Sequence, residues 1–292
     1  MTNTLNNILI RAESIAKSNW IHAVNILEHA AEEFPEDPRS LISMGDIFSQ
    51  KRRYDKAIAC YQKALTVKPN DDHLMYVIGN CYFAVNEYRM ALAYYKQITD
   101  QNPEVIYNKA LVLAYIGEHK ESINLITRLI KLVNDNPFIY FLLVEQLIRI
   151  NKYDEALGYL LKAEAKLGKH KHLLLLKATV YSHQQYWLKA FVAFTEYEQL
   201  TNITNEDHLQ AFAICARNIG KFSKSIELLN TAISINPHSY PLYEELTRIY
   251  IQIDDLPRAR FTINNARKAL SQLTPVLKML NDRITESSRQ DQ

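Results

Sequence analysis

Residues 38–71, PRSLISMGDIFSQKRRYDKAIACYQKALTVKPND, read as two amphipathic helices joined by a short turn. Apolar and small residues recur at helical spacing in each half, which predicts one buried stripe on each helix. Pro69 is expected to end the second helix, because proline cannot continue a helix. Gly45 is expected to face Ala57 where the two helices approach closely. The stretch therefore predicts a helical hairpin that needs neighbours to cover its apolar faces.

The same pattern recurs along the chain about every 34 residues. With Pro38 counted as position 1, a small residue stands at position 20, a large apolar residue at 24 and a helix breaker at 32. These three positions read Ala23/Leu27/Pro35, Ala57/Tyr61/Pro69, Ala91/Tyr95/Pro103, Ser122/Ile126/Asn134, Ala156/Leu160/Gly168, Ala190/Phe194/Asn202, Ser225/Leu229/Pro237 and Ala259/Ile263/Ser271. The turn between the helices often holds a residue that tolerates a left-handed backbone: Asn86, Gly117, Asn151, Gly220 and Asp254.

This pattern resembles the tetratricopeptide repeat family, whose members are arrays of helix–turn–helix units. The resemblance covers residues 4–273 as eight repeats: 4–37, 38–71, 72–102, 103–136, 137–170, 171–204, 206–239 and 240–273. It implies an all-α fold, a right-handed superhelical solenoid of antiparallel helix hairpins. Leu277, Leu280 and Ile284 then predict a capping helix over 274–285, and 286–292 is expected to be a disordered tail.

Charge and apolar runs exclude several classes of partner. Lysine plus arginine total 34 against 32 for aspartate plus glutamate, and this balance argues against nucleic acid or an anionic membrane as the main partner. The longest apolar run, Phe138 to Val144, is too short for membrane insertion, and the N-terminus does not read as a secretory signal. Cys60, Cys81 and Cys215 are predicted to be buried, reduced thiols, which favours a cytoplasmic protein.

One face of the first helices, at positions 2, 5, 9 and 12, points away from the hairpin core. In the resembled family this first-helix face lines a concave groove that holds a peptide or partner helix. Here it is apolar and aromatic in the middle repeats and polar at both ends of the array. The candidate groove residues are Tyr76, Asn80, Phe83, Tyr107, Asn108, Leu111, Phe138, Phe141 and Leu175. The alternative is that these side chains are ordinary packing between neighbouring first helices.

The two hypotheses assign different environments to the candidate residues. In a groove the aromatic side chains provide contact area with little side-chain entropy to lose, and Phe141 is accessible to solvent without a partner. Asn80 and Asn108 then hydrogen-bond the backbone of the bound segment. They also match two asparagines of a family subtype that clamps the C-terminal carboxylate of heat-shock chaperones. Phe138 and Leu142 stand at that clamp's basic positions, so this ligand is not expected.

Side chains with the spacing of a catalytic or metal site are not evident in the sequence. His170, His172 and His183 lack a carboxylate or cysteine at ligand spacing, so we expect solvated histidines, no metal and no cofactor. The sequence therefore predicts a non-catalytic protein–protein interaction scaffold that binds a peptide or partner helix in the groove. The alternative is a dedicated intracellular chaperone for a secreted or membrane-inserting client protein.

Overall fold

The computed structural model describes residues 2–99, 102–133, 136–270 and 272–290, and every regular element in these ranges is an α-helix. The chain divides into two compact units, Met1–Ile150 (the N-terminal unit) and Asn151–Gln292 (the C-terminal unit). The N-terminal unit holds α1 Thr2–Ala16, α2 Trp20–Glu33, α3 Arg39–Gln50, α4 Tyr54–Val67, α5 Asp72–Ala84, α6 Tyr88–Gln97, α7 Pro103–Tyr115, α8 His119–Leu132 and α9 Pro137–Arg149. The C-terminal unit holds α10 Tyr153–Leu167, α11 Lys171–His183, α12 Trp187–Leu200, α13 Glu206–Asn218, α14 Phe222–Ile235, α15 Tyr240–Gln252, α16 Leu256–Ala269 and α17 Pro275–Gln290. The predicted all-α fold is confirmed.

In the N-terminal unit, consecutive helices form hairpins that stack in chain order. The hairpins are α1/α2, α3/α4, α5/α6 and α7/α8, and each second helix also packs on the first helix of the next hairpin. The small and large apolar residues at positions 20 and 24 are buried in every one of these hairpins, as at Ala57 and Tyr61. α9 packs on α8 and on α7. The apolar core of the unit is therefore built from contacts between successive hairpins, as expected of an array in which each hairpin contacts its neighbours.

In the C-terminal unit, α10 packs on α11, and the hairpins α11/α12, α13/α14 and α15/α16 follow. α17 packs on both α15 and α16 and buries Leu277, Leu280 and Ile284. The helix begins at Pro275 and continues to Gln290, so it runs five residues into the segment predicted as a disordered tail. Residues 285–290, TESSRQ, contain neither glycine nor proline to stop a helix. Residues 291 and 292 lie outside the described residues.

Six of these hairpins contain one residue with a left-handed backbone in the turn, always at position 15, and Asn151 after α9 occupies the same repeat position. The left-handed conformation is confirmed for the five residues predicted to adopt it, and Arg52 (φ 58°) and Gln185 (φ 60°) adopt it as well. The following residue donates its N–H back across the turn, as Glu87 does to the Tyr82 carbonyl at 2.9 Å. This bond satisfies a carbonyl at the end of the first helix, which explains why the turn is so short.

The glycines at position 8 are required by a tyrosine ring in the same hairpin. A Cβ placed on Gly45 would lie 2.4 Å from the Tyr61 ring, and one on Gly79 would lie 2.4 Å from the Tyr95 ring. The expected close approach at Gly45 is present, and the closest group there is the Tyr61 ring. Hairpins with a smaller residue at position 24 carry a larger one at position 8, as in Ala110/Ile126 and Ala213/Leu229.

Serine replaces alanine at position 20 in two hairpins and gains a hydrogen bond there. The Oγ of Ser122 donates to the Ala110 carbonyl, and the Oγ of Ser225 donates to the Ala213 carbonyl, both at 2.7 Å. Both serines are fully buried, so the hydroxyl is satisfied without water. The predicted helix breakers Asn134 and Ser271 lie outside the described residues.

All three cysteines are free and buried, Cys60 and Cys81 in the N-terminal unit and Cys215 in the C-terminal unit. The Cys215 Sγ lies 3.1 Å from the Ser182 Oγ. Burial raises the pKa of each thiol. Among the described residues, no helix combines the length and the apolar character that crossing a bilayer requires.

Candidate functional site

Four of the predicted groove residues come together on α5 and α7 of the N-terminal unit. Tyr76 and Asn80 lie one helical turn apart on α5, and Tyr107 and Asn108 lie beside them on α7. Next to them is a cavity of about 300 Å³. Its walls are formed by Tyr76, Pro103, Glu104, Tyr107, Asn108, Leu129, Val133, Asn136 and Ile139. We call this cavity and the Asn80–Asn108 pair beside it the α5–α7 site.

A hydrogen-bond network fixes the two asparagines of the α5–α7 site. The Nδ2 of Asn108 donates to the Asn80 Oδ1 at 3.1 Å and to the Tyr76 hydroxyl at 3.2 Å. The Tyr95 hydroxyl donates to the same Asn80 Oδ1 at 2.5 Å. The Tyr76 hydroxyl in turn donates to the Glu104 Oε2 at 3.4 Å. Within the described residues, the Asn80 Nδ2 and the Asn108 Oδ1 have no hydrogen-bond partner, so one amide donor and one carbonyl acceptor remain available.

The tyrosine at position 24 supports the polar residue at position 9 in two successive hairpins. In the α3/α4 hairpin, the Tyr61 hydroxyl donates to the Asp46 Oδ1 at 2.6 Å, as Tyr95 does to Asn80. Burial raises the pKa of Tyr61 and of Tyr95 well above the usual range, so both phenols keep their protons. Tyr95 was not among the predicted site residues. The signal for it was the repeated spacing of a glycine, a polar residue and a tyrosine at positions 8, 9 and 24.

Tyr107 is a half-buried phenol on the wall of the cavity. Burial raises its pKa, and the negative charge of Glu145 and the nearby Tyr115 act in the same direction. The phenol is therefore neutral at physiological pH and can donate or accept a hydrogen bond. Glu104 was not among the predicted site residues, and it is the single formally charged residue on the wall among the residues that the structure describes.

Phe83 lies in a separate aromatic cluster at the C-terminal ends of α5 and α7. Its ring centroid lies 5.5 Å from those of Tyr88 and Tyr115, and the Tyr88 and Tyr115 rings stack at 4.8 Å. Leu111 is half-buried on α7. Neither Phe83 nor Leu111 lines the cavity, so the structure divides the predicted groove residues of α5 and α7 between two places.

On α9 the predicted site residues differ in exposure. Phe138 is 64% exposed, whereas Phe141 is only 6% exposed, with the two ring centroids 6.1 Å apart. The expectation that Phe141 is accessible to solvent is wrong. α9 is apolar around most of its circumference, with Leu142, Leu143, Val144 and Leu147 also buried, so its sequence does not define a single buried stripe.

Leu175 of α11 is likewise a core residue rather than a groove residue. It is 8% exposed and belongs to the apolar core of the C-terminal unit, together with Ala178 and Phe212. α11 carries four consecutive leucines, 173–176, and all of them are buried. Because consecutive residues point in directions about 100° apart around a helix, this run does not indicate which face of α11 meets solvent.

The histidines considered as metal ligands have other contacts. The His170 Nδ1 accepts the backbone N–H of His172 at 3.2 Å and so caps α11, and the His183 ring stacks on Tyr153 at 5.0 Å. The described residues do not bring three metal-ligand side chains together at any point. These contacts give His170 and His183 structural roles at the ends of α11.

Family comparison assigns the second and third repeats directly. Sequence models of the tetratricopeptide repeat match residues 38–71 and residues 72–105. The two matches include α3 to α6 and the start of α7, and therefore the α5 half of the site. The chain thus contains tetratricopeptide repeats, as its sequence pattern predicted, and such repeats indicate a protein-interaction scaffold.

The protein is similar in sequence to anaphase-promoting complex subunit 3 of Schizosaccharomyces pombe, with 25% identity over 134 residues. That alignment covers 45% of this chain and only 20% of the relative. The aligned part of the chain therefore corresponds to about a fifth of the relative's length.

Solved structures extend the likeness in fold over most of the chain. The APC/C hetero-tetramer Cut9–Hcn1 matches with a TM-score of 0.61 and 16% identity over 95% of this chain and 55% of that one. A tetratricopeptide repeat protein from Parabacteroides merdae gives a TM-score of 0.63 at 15% identity, covering 85% of this chain and 98% of its own. A repeat protein from Cytophaga hutchinsonii gives 0.64 at 12% identity, covering 82% and 99%. At these identities the likeness shows the fold, an all-α superhelical array of repeats.

Proposed function

We propose that this protein is an interaction scaffold and that its α5–α7 site holds an extended segment of a partner protein. The observation that carries the proposal is the fixed Asn80–Asn108 pair beside a cavity of about 300 Å³. The pair presents one unpaired amide donor and one unpaired carbonyl acceptor within the described residues. A peptide bond offers the complementary acceptor and donor, so the pair can bind a backbone in a fixed register without demanding a particular sequence.

Pre-organisation supports this assignment. Tyr95 and Tyr76 already hold the two carboxamides, so little side-chain entropy remains to be lost when a segment binds. The neighbouring rings of Tyr76 and Tyr107 offer contact area with few rotatable bonds. The exposed ring of Phe138, at the start of α9, adds an apolar side chain on the next first helix, at the repeat position that Glu104 occupies on α7.

The charge on the cavity wall limits which side chains of the partner segment can enter the cavity. Of the described residues on the cavity wall, Glu104 alone is formally charged, and its carboxylate accepts a hydrogen bond from the Tyr76 hydroxyl. A partner side chain that enters the cavity is therefore expected to be apolar or basic, because an acidic group would meet Glu104. This expectation differs from the carboxylate clamp of the family subtype, in which basic residues hold the ligand.

The relative in Schizosaccharomyces pombe is a subunit of a multiprotein complex. This supports a role for the present chain as a component of a protein assembly, although the match covers a fifth of that subunit. The partner segment is then expected to belong to a folded protein that remains bound through purification. A dedicated chaperone would instead retain a client in an unfolded state.

The proposal is tested by quantitative affinity purification with Tyr107→Ala/Asn108→Ala as bait. We expect one partner to be depleted about 30-fold relative to the wild-type bait, as for the loss of roughly 2 kcal/mol at a hot spot. Met90→Ala, at an exposed methionine on α6, is the matched control and should retain that partner. Identical protein sets from all three baits would contradict the proposal.

Backbone recognition is tested on the bound segment itself, as a synthetic peptide. Methylation of single peptide nitrogens should reduce affinity at the one or two positions that face the asparagines, whereas alanine substitution at the same positions should not. Affinity that depends on side chains alone would reject the assigned role of Asn80 and Asn108. Binding only to an unfolded form of the partner would favour the chaperone over the scaffold.

A further inference from the structure

A polar and aromatic cluster fills one junction between hairpins in the N-terminal unit. At this junction α4 meets α5 and α6, and the Gln62 Nε2 donates to the Tyr94 hydroxyl at 2.9 Å and to the Tyr82 hydroxyl at 3.3 Å. The Tyr82 and Tyr94 rings stack with centroids 5.5 Å apart. In repeat numbering, the three residues occupy position 25 of one hairpin and positions 11 and 23 of the next.

The equivalent junction in the C-terminal unit, where α14 meets α15 and α16, holds smaller residues. Asn230 replaces the glutamine, Tyr250 retains the first tyrosine, and Thr262 replaces the second. The Thr262 hydroxyl donates to the Arg258 carbonyl of its own helix at 2.9 Å, so it turns away from the junction. A cavity of about 460 Å³ is present here. It is lined by Asn230, Ile233, Tyr243, Leu246, Tyr250, Arg258, Phe261, Thr262 and Asn265.

The walls of this α14–α16 cavity suit a planar apolar group with a polar end. Leu246 and Tyr250 form a buried apolar floor, and Asn230 is an exposed side-chain amide at the position of Gln62. Phe261 is 65% exposed, so a large ring already stands in solvent at the edge of the cavity. Among the described residues on the wall, Arg258 alone is formally charged, and its guanidinium lies 3.3 Å from Asp255 in a partly exposed ion pair.

This cavity is distinct from the first-helix face that forms the α5–α7 site. α15 contributes positions 4, 7 and 11 to it, namely Tyr243, Leu246 and Tyr250. The first-helix face of the same helix consists of positions 2, 5, 9 and 12, on the opposite side of the helix. The α14–α16 cavity therefore opens between two second helices.

We propose that the α14–α16 cavity binds a tyrosine or phenylalanine side chain of a protein partner, seated as Tyr94 is seated in the N-terminal unit. The Asn230 amide donates to the phenol hydroxyl in the role of Gln62. An acidic residue beside the aromatic side chain pairs with Arg258, the one charge on the wall. The partner segment is thus an aromatic residue flanked by aspartate or glutamate.

The first test uses p-cresol, the side-chain analogue of tyrosine, with the full chain observed by amide NMR. We expect shifts confined to α14, α15 and α16 with a dissociation constant on the order of 1 mM, as for a fragment of this size. Thr262→Tyr places the missing ring in the cavity and should raise that constant at least about tenfold. Thr231→Tyr, at an exposed threonine on α14, is the matched control and should leave it unchanged.

A converse variant keeps the test decisive if Thr262→Tyr disturbs the fold. Tyr94→Thr removes the ring from the N-terminal junction and should create a new p-cresol site at α4, α5 and α6. p-Cresol shifts that are absent from α14–α16, or that persist in a folded Thr262→Tyr protein, would overturn the proposal.

Selection of random displayed peptides on the wild-type protein, with counter-selection on Thr262→Tyr, tests the partner chemistry. We expect enriched peptides to contain tyrosine or phenylalanine next to an acidic residue. Enriched peptides without an aromatic residue would overturn the assignment. Self-association of the wild-type protein that Thr262→Tyr abolishes would identify a second copy as the occupant and would also overturn it.

Discussion

At position 45 the packed ring of Tyr61 leaves room only for glycine. A Cβ on Gly45 would overlap the Tyr61 ring, so Gly45→Ala should destabilise the protein by about 1–3 kcal/mol through overpacking. In two other hairpins, alanine at position 8 is paired with an aliphatic residue at position 24, as in Ala110/Ile126 and Ala213/Leu229. Gly45→Ala/Tyr61→Leu should therefore be less destabilised than the sum of its single variants. Urea unfolding of all four proteins of the cycle measures the coupling, and strict additivity would contradict it.

Gln185 has a left-handed backbone conformation, which is unfavourable for a residue that carries a side chain. Its φ is 60°, as in the turns that use glycine or asparagine. Gln185→Gly should raise the free energy of unfolding by up to about 1 kcal/mol, because relief of the strain exceeds the added freedom of the unfolded chain. Asn86→Gly is the control and should change stability less, since asparagine tolerates this conformation. Loss of stability in Gln185→Gly, measured by thermal melting, would contradict the argument.

Residue type therefore predicts a turn only where the position holds a residue that favours the left-handed conformation. Asn86 and Gly117 marked their turns in the sequence, whereas Arg52 and Gln185 adopt the same backbone without any compositional sign of it. At these two positions the 34-residue period, rather than the residue, identifies the turn. Likewise Gly45 was recognised as a point of close approach, but the ring that approaches it could be identified only from the structure.

At the scale of one helix, α17 closes the apolar end of the C-terminal unit. Leu277 is fully buried against α15 and α16, so Leu277→Ala should cost about 2–5 kcal/mol. Met279→Ala on the same helix is the matched control, because Met279 is 62% exposed and should contribute little. Hydrogen exchange should accelerate first in α15–α17 of the leucine variant, since repeats couple mainly to their neighbours. Equal protection in both variants would show that α17 does not stabilise the end of the array.

The existence and order of the helices followed from the sequence, but the exposed face of the most apolar helices did not. On α5 and α7, the asparagines identified one side of each helix, and Tyr76, Asn80, Tyr107 and Asn108 do lie together. On α9, apolar residues occupy most positions, and on α11 four leucines stand in succession, so the pattern could not distinguish Phe138 from the buried Phe141 and Leu175. Burial of such helices depends on tertiary neighbours rather than on their own periodicity.

Across the whole molecule, buried phenols make stability sensitive to alkaline pH. Burial raises the pKa of Tyr61, Tyr95, Tyr107 and Tyr243. Above about pH 10 the unfolded chain loses phenol protons that the folded chain retains, so the folded state binds more protons and stability falls as pH rises. Tyr61→Phe should reduce this slope, as measured by urea unfolding between about pH 8 and 11. Tyr186→Phe, at an exposed tyrosine, is the control, and equal slopes in the two variants would contradict the prediction.

The three buried thiols allow local opening of the structure to be measured by chemical labelling. A thiol reacts as its thiolate, and burial disfavours that form at Cys60, Cys81 and Cys215, so each must become exposed before a disulfide reagent modifies it. The labelling rate of each cysteine therefore measures how often the structure opens around that residue. Two of the cysteines report on the N-terminal unit and one reports on the C-terminal unit. The native cysteines thus serve as kinetic reporters, and a ligand that slows the labelling of the cysteines in one unit only is bound to that unit.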